Sequence, residues 1–326
     1  MINQAMPNGE TENARVLAIA PMRRRSSMGK RMDLKDRFFG KGTPKLGEPP
    51  VANNRLAKPP AFAILFSDVP DINPDALAHI LRDYHTDFAG VTAEFVREGA
   101  NTLGLIGWGR HVVKVVVFNT AMPTEAVVNC VQPAHYDPQL KQEAYQHKAH
   151  ALLFYAGYET DSLEQHVALA ATAAGLTHFG GLVVLNELGH SSMPALALLP
   201  HEEDNRDTIG SLRKFPIPLL YAGFVKIELD GEPGVWMRTY GCEALQLPNL
   251  AIHADAHNQG GATFSLFANI LAHLREKGKS FQPGDTIALG EGMYLHVRVR
   301  TQDEWFLESE GTMLVLERTT EAEATT

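Results

Sequence analysis

An amphipathic helix near the end of the chain is the sequence feature that most restricts its fold. Over residues 262–277, five apolar side chains recur at three- and four-residue steps, so on a helix they form one stripe. They are Phe264, Phe267, Ile270, Leu271 and Leu274. Basic residues in the last turn and the following Gly278 are typical of a helix end. Because one apolar stripe is not stable alone, the helix must pack against a sheet.

Strands on both sides of this helix supply the predicted sheet. Residues 235–239 follow an Asp-Gly hairpin turn, and residues 286–289 follow a Pro-Gly turn. Residues 294–300 alternate apolar and polar side chains, as a strand with one solvated face does. Residues 312–316 are predicted to form a short edge or closing strand. We therefore expect a strand-helix-strand α+β half over residues 208–318.

The preceding stretch, residues 61–200, predicts a second set of strands and helices. Residues 62–66 indicate a buried strand, and Asn73-Pro74 is typical of a helix start. Residues 112–119 indicate a central strand. The first six predicted elements match a ferredoxin-like arrangement. We therefore expect an α+β fold with mostly antiparallel sheets, helices packed on one face, and a ferredoxin-like N-terminal half.

The two ends of the chain lack periodic apolar spacing. Residues 1–58 are rich in Asn, Gly, Pro, Lys and Arg, which predicts a disordered basic tail and linker. Residues 319–326 are predicted to be a disordered tail. The stretch 32–40 is typical of a bacterial N-terminus, so we expect translation to begin at Met28 or Met32 instead of Met1.

Charge and composition restrict the class of protein. The net charge is −9, yet residues 1–58 carry 12 Lys/Arg and 5 Asp/Glu, whereas the remaining residues carry 17 and 33. An acidic body repels nucleic acid and favours a basic protein partner. The sequence has no apolar run of about 18 residues, so no membrane span is expected. Two distant cysteines, Cys130 and Cys242, indicate a reduced, cytoplasmic compartment and no disulfide scaffold.

Two histidines and an aspartate form the strongest metal-binding pattern. On a strand, His253, Asp255 and His257 share one face, and imidazole and carboxylate groups can hold a divalent metal. They would extend over about 13 Å, so one ion would require a bend, which residues 258–261 could supply. The alternative is a solvated polar face, with Ile252, Ala254 and Ala256 packed inward.

Catalytic motifs are not found elsewhere in the sequence. Gly189-His-Ser-Ser-Met193 lacks the second glycine of a nucleophile elbow, so we expect a loop with a capping serine. No Cys-His-Asn signature accompanies Cys242. No phosphate-binding loop, zinc-protease or kinase motif is present. The sequence therefore predicts neither catalytic residues nor a cofactor.

Several motifs of the C-terminal block resemble the bacterial domain of unknown function (DUF) 4261 family. They are Arg238-Thr-Tyr-Gly-Cys-Glu-Ala-Leu245, Leu247-Pro-Asn-Leu-Ala-Ile252 and Phe281-Gln-Pro-Gly-Asp-Thr-Ile287. Pro248-Asn-Leu-Ala251 stands where that family tends to have Pro-Glu-Leu-Glu. The block is also similar to Sufu-like domains, which commonly act as binding or toxin-neutralising modules. The family has no established reaction, so the resemblance implies no catalytic residues.

These observations leave three functional hypotheses open. The first is a non-enzymatic cytoplasmic protein-binding module, such as an immunity or accessory protein of a toxin or secretion locus. The second is a metal-dependent hydrolase that uses His253, Asp255 and His257. The third is a structural regulator that binds no small ligand.

Overall fold

The computed structural model describes residues 33–39, 49–200, 207–290 and 292–320. All of these ranges lie within the compact unit Asp33–Thr326. The predictions for residues 1–32, 40–48 and 321–326, including the start of translation, lie outside the described residues. The described parts of the predicted disordered ends are structured: residues 34–39 form a helix, Val51 and Ala52 are buried, and residues 319 and 320 end a strand. No described helix combines the length and the apolar character needed to cross a membrane.

The N-terminal half contains a seven-stranded sheet with the order β2-β3-β4-β5-β1-β6-β7. Its strands are β1 (Ala61–Phe66), β2 (Thr92–Glu98), β3 (Asn101–Trp108), β4 (His111–Phe118), β5 (Ala149–Tyr155), β6 (Gly181–Asn186) and β7 (Ser191–Pro194). Every neighbouring pair in this order is antiparallel. The half is thus larger than a ferredoxin-like sheet, because β3 and β7 come from stretches that the sequence pattern does not identify as strands.

The described residues contain eight α-helices. They are α1 (Leu34–Phe39), α2 (Pro74–Tyr84), α3 (Thr124–Val131), α4 (Pro138–Tyr145), α5 (Ser162–Thr177), α6 (Thr208–Arg213), α7 (Ile217–Leu220) and α8 (Gly260–Lys277). The predicted start of α2 is confirmed, because the Asn73 side chain accepts a hydrogen bond from the Ala76 amide. Asp161 likewise caps α5.

Helices cover both faces of the first sheet. Phe62, Ile64 and other residues of one face pack with α2 and α5. The alternate residues Ala63 and Leu65 pack with α3 and α4 on the opposite face. The structure therefore adds a second helical layer to the one-sided packing expected from the sequence.

The C-terminal half forms a six-stranded sheet with the order β11-β12-β13-β10-β9-β8. Its strands are β8 (Gly223–Ile227), β9 (Val235–Tyr240), β10 (Asn249–Ala254), β11 (Thr286–Gly290), β12 (Met293–Val299) and β13 (Met313–Thr320). The β10–β13 pair is parallel and the other pairs are antiparallel. The expectation that residues 312–316 form an edge or closing strand is wrong, because β13 lies inside the sheet between β10 and β12. The α+β class with mostly antiparallel sheets is confirmed.

One hydrophobic core joins the two sheets. Helix α5 is buried along 13 of its residues, as expected for a helix that is apolar all round. Its residue Leu169 belongs to the same cluster as Phe62 of the first sheet and Leu314 of the second. The predicted stripe of α8 joins this cluster through Phe267 and Leu271. The helix ends at Gly278, which adopts a left-handed conformation with φ of 60°, as predicted.

Candidate functional site

The predicted metal-binding side chains do not converge in the structure. His253 lies exposed on β10, and its Nε2 is 3.1 Å from the Pro233 carbonyl oxygen. His257 lies beyond the strand, and its Nε2 is 2.5 Å from Oε1 of Glu228. Asp255 lies between them and is exposed. Within the described ranges, no group of three or more His, Cys, Asp or Glu side chains is placed to hold a metal.

Chelation should therefore leave the stability of the protein unchanged. Because His253 and His257 contact different partners, we expect the same melting temperature before and after dialysis against EDTA. The melting temperature of the double variant H253A/H257A should likewise be the same before and after dialysis against EDTA. Elemental analysis that finds a stoichiometric divalent metal, together with a lower melting temperature after chelation, would contradict this expectation.

A buried polar network fixes the connection between β9 and β10. The Leu250 amide donates to Oγ1 of Thr239 at 2.8 Å, and the Cys242 amide donates to Oδ1 of Asn249 at 3.3 Å. The Asn249 amide group in turn donates to Oε2 of Glu243 at 2.8 Å. These residues belong to the motifs that carry the family resemblance. Their hydrogen bonds account for the motif as a structural corner.

Cys242 does not have the properties of a nucleophile. Its side chain is fully buried, and burial raises the pKa of the thiol to about 12. Catalytic cysteines instead have a lowered pKa, since the thiolate is the reactive form. The thiol therefore stays protonated near neutral pH.

A buried arginine holds a short segment against the outer face of the second sheet. Arg238 on β9 is fully buried, and its Nη1 donates to the carbonyl oxygens of Phe306 and Glu308 at 2.8 and 3.2 Å. Its guanidinium lies 3.8 Å from the ring centroid of Tyr240. Charged donors make stronger hydrogen bonds than neutral ones, so Arg238 fixes the backbone of residues 306–308.

A second arginine holds the start of the same segment. Arg298 on β12 donates from both terminal nitrogens to the carboxylate of Glu304, at 2.6 and 2.7 Å. This bidentate pair lowers the pKa of Glu304 and raises that of Arg298. The Thr301 amide also donates to Glu304, at 2.7 Å. Bidentate pairs restrict geometry as well as adding energy, so Glu304 is fixed in place.

Between Glu304, held by Arg298, and Glu308, held by Arg238, the chain forms a 3₁₀ helix, Trp305–Leu307. Leu307 is fully buried and packs with Ala251, Met313 and Val315. Trp305 points the other way and is 69% exposed, the largest exposed fraction among the large apolar side chains of the described residues.

Three aromatic rings continue from Trp305 across the outer face of the sheet, so that four rings form one row. The ring centroids of Trp305 and Phe306 lie 6.0 Å apart, and those of Phe306 and Trp236 lie 5.6 Å apart. Trp236 then lies 5.3 Å from His253. We call these four residues the aromatic ridge. No motif in the sequence predicts a function for Trp305. The available signal is that Trp305-Phe306 stands in an acidic stretch, residues 301–311, that contains no Lys or Arg.

A separate cavity of about 600 Å³ lies between the two sheets. We call it the junction groove. Its walls come from β7, α7, β8 and the start of α8 and are mostly apolar, including Met193, Leu219, Phe224 and Phe264. Ser191 also lines it. The expected loop with a capping serine at residues 189–193 is therefore wrong in part, because Ser191 and Ser192 lie in strand β7.

The fold and these surfaces define a two-sheet α+β protein whose candidate sites are an exposed aromatic ridge and an apolar groove. Residues 238–317 match the family model described as domain of unknown function (DUF4261), which confirms the resemblance expected from the sequence over this range. The matched range contains the DUF4261 motifs, Arg238, Arg298 and Trp305. The Sufu-like layout stays a prediction. No curated protein and no solved structure matches the chain.

Proposed function

We propose that the protein is a non-enzymatic, cytoplasmic binding module for a basic protein partner, which docks on the aromatic ridge. One observation carries the proposal. Trp305 is 69% exposed although the residues on both sides of it are fixed by Arg238, Arg298 and the buried Leu307. An exposed large apolar side chain in a rigid segment is a favourable docking anchor.

The energetics of interfaces support this role for an indole. Tryptophan is enriched among the interface residues whose truncation costs about 2 kcal/mol or more. Binding also costs conformational entropy, and a pre-organised contact residue reduces that cost. Trp305 meets both conditions, because its backbone is already held in the free protein.

The charge around the ridge supports a basic partner. Asp303, Glu308 and Glu310 lie exposed close to Trp305 in the sequence. Glu308 and Glu310 make only exposed ion pairs, with Arg300 at 3.9 Å and Lys58 at 3.0 Å, which contribute little in water and can be replaced by a partner's cations. Glu304 is already paired with Arg298 and does not add to this exposed charge. Lysine and arginine side chains can stack on an indole ring, with about 0.5–1 kcal/mol at exposed sites. Complementary charge would also speed association at low ionic strength. An immunity or accessory protein that neutralises a basic toxin domain would use such a surface.

Truncation of Trp305 is the direct test. We expect immobilised wild-type protein to capture a basic partner from a native lysate at low salt. The variant W305A should weaken binding of that partner by about 30-fold, which corresponds to about 2 kcal/mol. The control Y145A removes another exposed aromatic ring, 44% exposed, from the first-sheet half, and should bind like the wild type.

Two results would contradict the proposal. One is equal retention of the partner by W305A and Y145A when both variants keep the wild-type melting temperature. The other is the absence of any captured protein whose retention depends on Trp305.

A further inference from the structure

The junction groove lies where edge strands of the two sheets approach each other. Strand β7 is an edge of the first sheet and β8 is an edge of the second. The volume of about 600 Å³ falls in the range of ordinary ligand pockets, 300–1,000 Å³. Leu219 lines the groove and is exposed, and the neighbouring Leu196 is also exposed. The groove is therefore open and suited to an apolar ligand that extends beyond it.

The charge of the groove differs from that of the chain as a whole. The net charge of the chain is −9, yet the described residues that line the groove include Lys226 and no carboxylate. The ammonium of Lys226 donates to the His257 carbonyl oxygen at 2.9 Å, and it forms no ion pair within the described part of the chain. The nearest carboxylate along the chain, Glu228, follows β8 and accepts a hydrogen bond from His257, not from Lys226.

Lys226 also lies against the first turn of α8. A Cβ atom at Gly260 would be 2.5 Å from Nζ of Lys226. The amino end of an 18-residue helix carries a partial positive charge, which adds to that of the ammonium. This end of the groove therefore favours an anionic group.

Strand β7, which lines the groove, favours a peptide as the ligand. It is an edge strand of the first sheet, and an edge strand presents backbone donors and acceptors with which an added strand can pair. A polypeptide offers a donor and an acceptor at nearly every residue, whereas an alkyl chain offers neither. This edge therefore favours a peptide over a fatty acid.

We infer that the junction groove binds the carboxyl-terminal residues of a polypeptide, with apolar side chains in the groove and the terminal carboxylate at Lys226. This site is separate from the aromatic ridge, so each can fail without the other. The recognised chemistry is an apolar segment that ends in a free carboxylate.

A library of short random peptides displayed with free carboxyl termini tests the inference. Enriched peptides should end in apolar residues. The synthetic acid should bind about 10-fold tighter than the corresponding amide, because a charged hydrogen-bond partner is lost in the amide. The variant K226M should remove that difference and leave the affinity for the amide unchanged. The control K279M, which removes an exposed lysine outside the groove, should keep the wild-type difference in affinity between the acid and the amide.

Two further measurements locate the peptide and define failure. Leu219→Asp should weaken binding of acid and amide alike, because both use the apolar wall. The inference is overturned if the acid and the amide bind equally to the wild type, or if L219D binds every enriched peptide as tightly as the wild type does. Retention of dodecanoate without enrichment of any peptide would also overturn it, in favour of a fatty-acid site.

Discussion

Replacing Leu307 by alanine should lower the free energy of unfolding by about 3 kcal/mol. The side chain is fully buried between Ala251, Met313 and Val315, and truncation of a buried leucine leaves a cavity that the surroundings fill only in part. Urea unfolding of wild type and L307A, followed by circular dichroism, measures the change.

The variant L188A provides a matched control for this measurement. Leu188 is 54% exposed, so its truncation should change the free energy of unfolding by less than about 0.5 kcal/mol. If L307A were as stable as L188A, the 3₁₀ helix Trp305–Leu307 would not be anchored in the way described. L307A should also bind the partner more weakly than L188A although Trp305 is intact, because the anchor has lost its fixed position.

Acidification should destabilise the protein through buried His166. Burial lowers the pKa of this imidazole from 6.5 to about 4, against the opposing effect of a hydrogen bond from Nδ1 to the Ser162 carbonyl oxygen. A lowered folded-state pKa means that the unfolded chain binds the proton more readily. Stability is therefore full above pH 6.5 and is lost as the pH falls towards 4, by about 3 kcal/mol in total and about 2 kcal/mol between pH 7 and pH 5.

The variant H166L isolates this contribution. The drop in unfolding free energy between pH 7 and pH 5 should be about 2 kcal/mol smaller in H166L than in the wild type, whereas H273L, which alters an exposed histidine of α8, should keep the wild-type drop. Four other imidazoles have a pKa lowered mainly by burial and change stability in the same direction: His111, His147, His150 and His190. An identical pH dependence in wild type and H166L would show that His166 does not remain neutral in the fold.

The sequence predicts correctly those features that depend only on residues close together in the chain. The apolar stripe and basic last turn of α8, the left-handed Gly278 and the Asn73 cap all involve residues within a few positions of each other. The structure confirms each of them. Such features depend on helix periodicity and end effects, which a single sequence displays directly.

The sequence pattern does not predict strand β3, because its glycines are needed for close contacts with residues on other parts of the fold. Gly104 is paired with Phe95 of β2, and a Cβ atom at Gly104 would lie 2.3 Å from that ring. A Cβ atom at Gly107 would lie 2.3 Å from the Pro50 side chain. In the sequence these glycines look like loop residues, whereas in the sheet they make room for neighbouring side chains.

The aromatic ridge could not be derived from local spacing either. The segment that presents Trp305 is held by Arg238, which lies 68 positions before Phe306 in the chain. The exposure of Trp305 depends on this contact and on the burial of Leu307, and neither is visible as a motif. The His253, Asp255 and His257 pattern, in contrast, is visible in the sequence but does not form a site. The chain turns after β10, and His253 and His257 contact different partners.

Photo-crosslinking from the ridge tests the central claim most directly. Protein with p-benzoylphenylalanine in place of Gln302, an exposed residue three positions before Trp305, keeps the anchor intact. It should crosslink to the basic partner on irradiation, and the yield should fall as salt is raised, since screening weakens association between opposite charges. The same group in place of Tyr145 should give no crosslink. Efficient crosslinking from position 145 with none from position 302 would contradict docking on the aromatic ridge.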